Sequence, residues 1–394
     1  MIESWRWFGP LDKISLPEIT QTGASGIVTA LHDIPYGEVW PVEAIAARQK
    51  MIADIGLLDW MVVESLPIHE RIKRGEGDLS PLFATYRQSM ANLATCGITT
   101  ICYNFMPLLD WTRTTLNAPV QGGGTALRFD RQDMAVFEIF MLERIDAEAD
   151  YTPDIIDAAK RHFDQMQPHD KDHLLASIMA GLPGAYDRYS ISQLRDELVK
   201  YKDIDHASLR ANYSRFLHEV IPTAAELGMR LCVHPDDPPR DILGLPRIVS
   251  THADIAWILD EVDDMANGLT LCSGSLGANP DNDVPQIAAA FAERIHFAHL
   301  RNVSIDDDGS FQEAAHLDGD VDMVALVKIL MAEEQRRWQN GRADHEIVFR
   351  PDHGHELLSD IGRGTHPGYP LIGRMRGLAE LRGIVRALAH GQKD

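Results

Sequence analysis

Four side chains able to hold a divalent metal ion stand at the C-terminal ends of short apolar runs. They are His234 after Leu231-Cys232-Val233, Cys272 after Leu269-Thr270-Leu271, His299 after Phe297-Ala298, and Asp352 after Ile347-Val348-Phe349-Arg350-Pro351. Strand side chains alternate between two faces, so Cys232 and His234 share one, as do Phe297, His299 and Arg301, and Val348, Arg350 and Asp352. If these ends meet at one mouth, two imidazoles, a thiol and a carboxylate converge. That set suits a borderline ion such as Mn2+, Fe2+, Co2+ or Zn2+ and disfavours Mg2+ or Ca2+. Each residue alone has a plainer reading: a hydrogen-bonded structural histidine, or for Cys272 a buried thiol. Their recurrence in successive strand–helix units favours the metal.

Other strand ends offer polar groups for a substrate: His32 after Leu31, Glu64 in Val63-Glu64-Ser65, and Asn104 in Tyr103-Asn104-Phe105. Trp111 adds an aromatic wall and Arg113 a cation. Arg301, Arg350 and Arg374 are candidates for an anionic group, because a planar guanidinium pairs with a carboxylate through two bonds. Tyr369, in the shaped loop Gly364-Thr365-His366-Pro367-Gly368-Tyr369, can hang over the mouth as an acid or base. Capped strand ends and surface ion pairs are the bland alternatives. Asp352 and His353 are neighbours and cannot both face inward on a regular strand. One must lie past its end, and Gly354 offers a place to bend.

The elements that must position these groups follow a rhythm of apolar strand, polar turn and helical pattern. The expected strands are Trp5–Phe8, Gly26–Leu31, Trp60–Glu64, Thr99–Phe105, Met229–His234, Leu269–Cys272, Ile295–Leu300 and Glu346–Arg350. Helical patterns between them include Val42–Ile55, Leu82–Thr95, Ala253–Met265 and Val321–Gln339. Eight strands alternating with helices predict an α/β fold, a (β/α)8 TIM barrel, over residues 1–394 as a single domain. A doubly wound sheet fits less well, because no glycine-rich turn follows the first strand. Gly122-Gly123-Gly124 follows no expected strand and reads as a flexible loop. Residues 108–221 carry no convincing strand and several helical patterns, Asp133–Arg144, Pro153–Met166, Lys171–Ala180, Leu194–Tyr201 and Ala207–Val220. They form a helical insertion between strands 4 and 5, a lid or a subunit contact.

Composition narrows the function. The formal charge of −22 argues against a general nucleic-acid binder, which needs basic surface, but leaves room for an anionic small molecule in a local positive field. No apolar run approaches the length that spans a bilayer, and the N-terminal segment lacks the pattern of a signal peptide, so a cytoplasmic enzyme is expected. Four cysteines in 394 residues do not suggest a disulfide framework.

With these residues assembled, the chain resembles the mannonate dehydratases of hexuronate degradation, the type with a xylose-isomerase-like barrel. The resemblance rests on Trp5-Arg6-Trp7-Phe8-Gly9-Pro10, Val63-Glu64-Ser65, Cys102-Tyr103-Asn104-Phe105-Met106-Pro107, Leu109-Asp110-Trp111-Thr112-Arg113, His234-Pro235-Asp236-Asp237-Pro238-Pro239, His299-Leu300-Arg301, Glu313-Ala314-Ala315-His316 and Arg350-Pro351-Asp352-His353-Gly354-His355. It implies dehydration of D-mannonate to 2-dehydro-3-deoxy-D-gluconate with Mn2+ or Fe2+. It implies metal ligands at His234, Cys272, His299 and Asp352, and an acid–base pair at His353 and Tyr369, with the division of labour open. His32, Glu64, Asn104, Trp111, Arg301 and Arg350 are expected to bind the substrate. The expected partner is a small sugar acid, with neither nucleic acid nor membrane, in a homodimer or other homo-oligomer. The alternative is a metal-dependent sugar isomerase or epimerase on the same barrel. Such sites usually rely on carboxylate ligands and harder ions, whereas this one offers a thiolate.

Overall fold

A computed structural model describes residues 1–181 and 189–391, so part of the expected insertion lies outside the described residues. The strands are β1 Ile2–Arg6, β2 Gly26–Thr29, β3 Asp59–Glu64, β4 Thr100–Tyr103, β5 Thr115–Pro119, β6 Thr125–Phe129, β7 Arg230–Val233, β8 Asn267–Cys272, β9 Ile295–His299, β10 Asn302–Ile305, β11 Phe311–Ala314 and β12 Val348–Arg350. Eight of them close into a parallel barrel in the order β1-β12-β9-β8-β7-β4-β3-β2. The other four form an antiparallel sheet in the order β10-β11-β6-β5.

Barrel strands are buried on both faces, which is why they read as continuous apolar runs. Val28, Val62, Cys102, Cys232, Phe297 and Val348 fill the interior. Trp5, Ile27, Val63, Ile101, Leu231, Leu271, Ala298 and Phe349 join the helix layer. Burying one such side chain contributes about 1.5–3 kcal/mol, so a one-residue slip that turned these faces over is strongly disfavoured. The same alternation sends the residues two positions beyond the interior set to the mouth: Glu64, Asn104, His234, His299 and Arg350.

Several expectations are corrected. The first strand is Ile2–Arg6, not Trp5–Phe8, because both tryptophans are buried and only the ladder decides which segment pairs. Among the described residues of 108–221 there are two strands, β5 and β6, and the three glycines form the turn between them, each at positive φ. The helix expected over Asp133–Arg144 is a short α-helix, Arg131–Ala135, that continues as a π-helical turn over Val136–Met141. The helix His206–Glu226 belongs to the barrel: Leu209, Tyr213, Phe216, Leu217, Val220, Ile221 and Ala224 all sit in the main core. The segment with a core of its own therefore ends before this helix.

The four-stranded sheet matters for the site. It pairs β6 from the β4–β7 excursion with β11 from the β9–β12 excursion, Phe129 opposite Phe311 with their rings stacked at 5.4 Å. It thereby fixes the segments that carry Trp111, Arg113 and Glu313 over one end of the barrel.

Candidate active site

His234 lies one residue past β7, and its amide continues the ladder by donating to Tyr103 O (2.7 Å). Cys272 ends β8 and His299 ends β9. Asp352 follows β12 at φ +55°, a left-handed conformation uncommon outside glycine. This is the bend that parity demands, placed at Asp352 itself and not at Gly354. A Cβ on Gly354 would meet Arg374 N at 2.7 Å, so its absence instead lets the loop close on the start of the helix Leu371–Gly391. Asp360 caps that helix, accepting from the amides of Leu371, Ile372 and Gly373, and so anchors the turn carrying Tyr369.

The four donor groups meet. Ligand atoms of His234, Cys272 and His299 all lie within 4.8 Å of one another. Asp352 Oδ2 is 3.8 Å from the Cys272 sulfur and 3.9 Å from His299 Nδ1. His234 Nδ1 is 2.6 Å from Pro235 O, which can only accept, so Nδ1 carries the proton and Nε2 presents a lone pair. His299 Nδ1 lies 3.4 Å from Arg350 Nη2, which can only donate, so Nδ1 presents a lone pair inward, with Nε2 3.3 Å from Glu64 on the other side. These two inward nitrogens are 3.1 Å apart. Two lone pairs, a thiolate and a carboxylate at such spacing repel unless a proton or a cation sits among them.

The electrostatics show that demand. Burial lowers the pKa of His234, but Cys272, Asp352 and Glu64 outweigh it and raise it to about 9. Burial pushes the Cys272 thiol up, yet Arg301, His234 and His299 pull it well below its ordinary value. Asp352 and Glu64 are likewise held well below the usual carboxylate range against burial, Arg350 being the main cause for both. Cys102 and Cys232, deeper in the barrel, are pushed up by burial and remain neutral thiols. The donor set fits a divalent cation with nitrogen, sulfur and oxygen ligands.

Beside it stands the pair His353 and Tyr369, edge to face with ring centroids 5.0 Å apart. His353 Nδ1 lies 2.9 Å from Glu313 Oε1. Arg301 Nη1 lies 3.0 Å from the same nitrogen; with the Nδ1 proton directed to the Glu313 carboxylate, Nε2 is the atom left with a lone pair. Trp111 packs edge-on against the same ring at 6.0 Å. The Tyr369 hydroxyl donates to Asp352 Oδ1 at 3.3 Å, and burial followed by the Asp352 charge pushes its pKa far above its ordinary value. Glu64, Asn104, Trp111, His234, Arg350, Asp352, His353 and Tyr369 line one cavity.

Two expected anion binders are already engaged. Arg350 donates twice to Glu64, at 2.7 and 3.1 Å, and also pairs with Asp352. Arg301 pairs with Asp237 at 2.5 Å, with Asp352 at 2.9 Å and with Glu313. Both hold the carboxylates of the site in place. His32 is absent from the cavity lining; its Nε2 sits 3.5 Å from Arg6 Nη2. Glu313 and Arg6 were not among the expected site residues. For Glu313 the available signal is the motif Glu313-Ala314-Ala315-His316, which the resemblance includes without implying a role for it.

Glu313 is shared by Arg113, Arg301 and His353. Glu313→Gln is expected to cost about 3 kcal/mol at pH 7, the scale of a broken buried pair. Burial raises the Glu313 pKa, but Arg301 and His353 bring it down to about 2, against 4.5 for an ordinary glutamate. Its contribution is therefore complete above pH 4.5 and lost as pH falls through about 2. Melting curves of both proteins from pH 7 to pH 2.5 check this: the gap between them should narrow on acidification.

The comparisons with known proteins agree with this geometry. The family model for D-mannonate dehydratase (UxuA) matches residues 1–394. The chain belongs to the D-mannonate dehydratase family. It is 54% identical to a mannonate dehydratase of Chromohalobacter salexigens over 389 residues, 98% of this chain and 99% of that one. The crystal structure of a mannonate dehydratase from Streptococcus suis matches with TM-score 0.78 and 33% identity, covering 100% of this chain and 95% of the other. A xylose isomerase-like TIM barrel protein of Mycobacterium smegmatis, solved in complex with magnesium, matches with TM-score 0.50 at 12% identity, a likeness of fold. It covers 95% of this chain and 87% of that one. Family membership and the xylose-isomerase-like barrel thus agree with the expectations raised by the motifs.

Proposed function

We propose that the chain dehydrates D-mannonate to 2-dehydro-3-deoxy-D-gluconate and water, acting as a hydro-lyase. The observation that carries this reading is the convergence of four metal-ligating groups beside a histidine and a tyrosine that line one cavity, in a member of this family. His234, Cys272, His299 and Asp352 would hold Mn2+ or Fe2+, ions the thiolate favours over Mg2+. The bound ion would supply Lewis acidity where negative charge develops on the substrate.

The chain's own groups move the protons. His353 Nε2 takes the C2 proton, and Glu313 on the far nitrogen supports the imidazolium that forms. The electrons of the C2–H bond form the C2–C3 double bond as the C3–O bond breaks. Tyr369 is a phenol, not a phenolate, at neutral pH, so it gives its proton to the departing C3 hydroxyl, which leaves as water. His353 then delivers its proton to C3 as the enol hydroxyl gives up its own, which restores the Tyr369 phenol and leaves the 2-keto acid. Trp111 and the buried Tyr369 ring keep bulk water from the reacting atoms.

Incubating the Mn2+- or Fe2+-loaded protein with D-mannonate and assaying for a 2-keto-3-deoxy acid tests this. Formation of an isomeric sugar acid instead would assign the isomerase or epimerase alternative. The same proposal includes a cytoplasmic location, a homodimer or other homo-oligomer, and one catalytic unit over residues 1–394. Light scattering checks the assembly.

A further inference from the structure

Arg6 ends β1 and is 1% exposed, yet its Nε and Nη1 have no hydrogen-bond partner among the described residues. An unpaired buried guanidinium is costly, and folded proteins seldom keep one without use. Arg113, Arg301 and Arg350, by contrast, each meet two or more carboxylates. Arg6 also points the right way. Its neighbour Trp5 packs outward into the main core, while Arg6 is in register with Val28 of the barrel interior. Arg6 lies just behind the cavity wall: the fields that act on it come from Glu64, Arg350 and Tyr369, which form part of the lining. Glu64 does not satisfy it: both Glu64 oxygens accept from Arg350, and neither accepts from Arg6 Nε or Nη1.

The residue is held in place from behind. Arg374 donates to Arg6 O at 3.1 Å while lying over the Trp5 ring at 4.0 Å. Phe8 sits 4.8 Å from the Arg6 guanidinium, and His32 faces its remaining nitrogen. Nη2 carries two hydrogens, so with His32 on one of them an edge formed with Nε or Nη1 still has no partner among the described residues.

We infer that Arg6 binds the carboxylate of the sugar acid, through Nη2 and one of the two unpaired nitrogens beside it, Nε or Nη1, in the role expected of Arg301 and Arg350. This rests on the proposed dehydration and adds to it the group that sets the substrate class. The pairing matches a planar fork to a planar carboxylate, and desolvation on both sides makes it strong. It also accounts for His32, which positions the fork without touching the substrate.

The test compares wild type with Arg6→Met, which keeps volume and removes charge, and Arg6→Lys, which keeps charge and removes the fork, all in the full-length Mn2+-loaded protein. For Arg6→Met, kcat/KM on D-mannonate should fall about 100-fold or more, chiefly through KM, with metal content unchanged. The melting temperature without substrate should stay level or rise, since an unpaired buried charge has gone. The upward shift that D-mannonate gives to wild type should vanish. Arg6→Lys should recover part of the affinity. A kcat/KM within threefold of wild type, or a loss of activity that tracks a lowered melting temperature and lost metal, overturns the assignment. Should Arg6→Met fail to fold, Arg6→Lys decides: a wild-type KM rejects the fork, a KM raised tenfold or more supports it. A wild type that fails to turn over D-mannonate defeats the proposed function instead. Arg6 is then judged on whether the melting shift by aldonates, compared with neutral D-mannose, disappears in Arg6→Met.

Discussion

Asparagine in place of His353 is expected to lower kcat by about 10³-fold while the protein keeps its fold and its metal. Asparagine retains a donor and an acceptor near Glu313 but has no nitrogen that takes a proton at neutral pH. General acid–base catalysis by a positioned side chain is worth about 10²–10⁴-fold, and here no nearby group can substitute. Tyr369 is held protonated by burial and by Asp352, and the Glu313 carboxylate is engaged by Arg113 and Arg301. His353 makes none of the four metal-directed contacts, so metal content measured by elemental analysis should be unchanged. Because the lost interaction is made in the transition state, kcat and kcat/KM should fall together. An active His353→Asn enzyme would remove this residue from proton transfer.

Stripping the protein of its divalent ion should abolish turnover, and adding back Mn2+ or Fe2+ should restore it. The physical basis is the crowding of donors: two facing imidazole nitrogens at 3.1 Å, a thiolate and a carboxylate. With the ion gone, His234 titrates near 9 and carries a proton at pH 7, which metal uptake must displace. Calorimetry in buffers of different ionisation enthalpy should therefore show about one proton released per ion bound, and affinity should weaken as pH falls from 9. Cys272 adds little to that penalty, since its thiol is already held well below its ordinary pKa by Arg301 and the two histidines. Cys272→Ser should weaken Mn2+ binding by about 100-fold, because a serine hydroxyl does not ionise in its place. Turnover that survives chelation would sink the metal reading altogether.

The fold is legible because its signals are local. Apolar runs such as Leu269–Leu271 and Phe297–Ala298, each ending in a polar ligand type, give away both the strand and its terminus within a few residues. The β5–β6 hairpin escapes such a reading because its strands, Thr-Leu-Asn-Ala-Pro and Thr-Ala-Leu-Arg-Phe, are short and half polar. Two such runs flanking a glycine turn are a hairpin pattern, and the three glycines are the available signal. The helix His206–Glu226 reads as part of the insertion because helical periodicity reports an apolar face but not what covers it.

By itself the sequence determined which residue types stand at the strand ends and, through period-two alternation, that His234, Cys272, His299 and Asp352 could face a common mouth. It also carried the family's motifs over the whole chain. Only the tertiary structure decided how the charges are shared. Arg301 and Arg350 read as free cations in one dimension, yet in the folded chain Glu64, Asp237 and Glu313 reach them from distant segments. Arg6 carries no signal of its own within the expected first strand, yet barrel closure between β2 and β12 buries it with Nε and Nη1 unpaired among the described residues. Alternation is set by bonds along the chain, whereas Coulomb pairing depends on distances through space, which exist only once the barrel and its antiparallel sheet have closed.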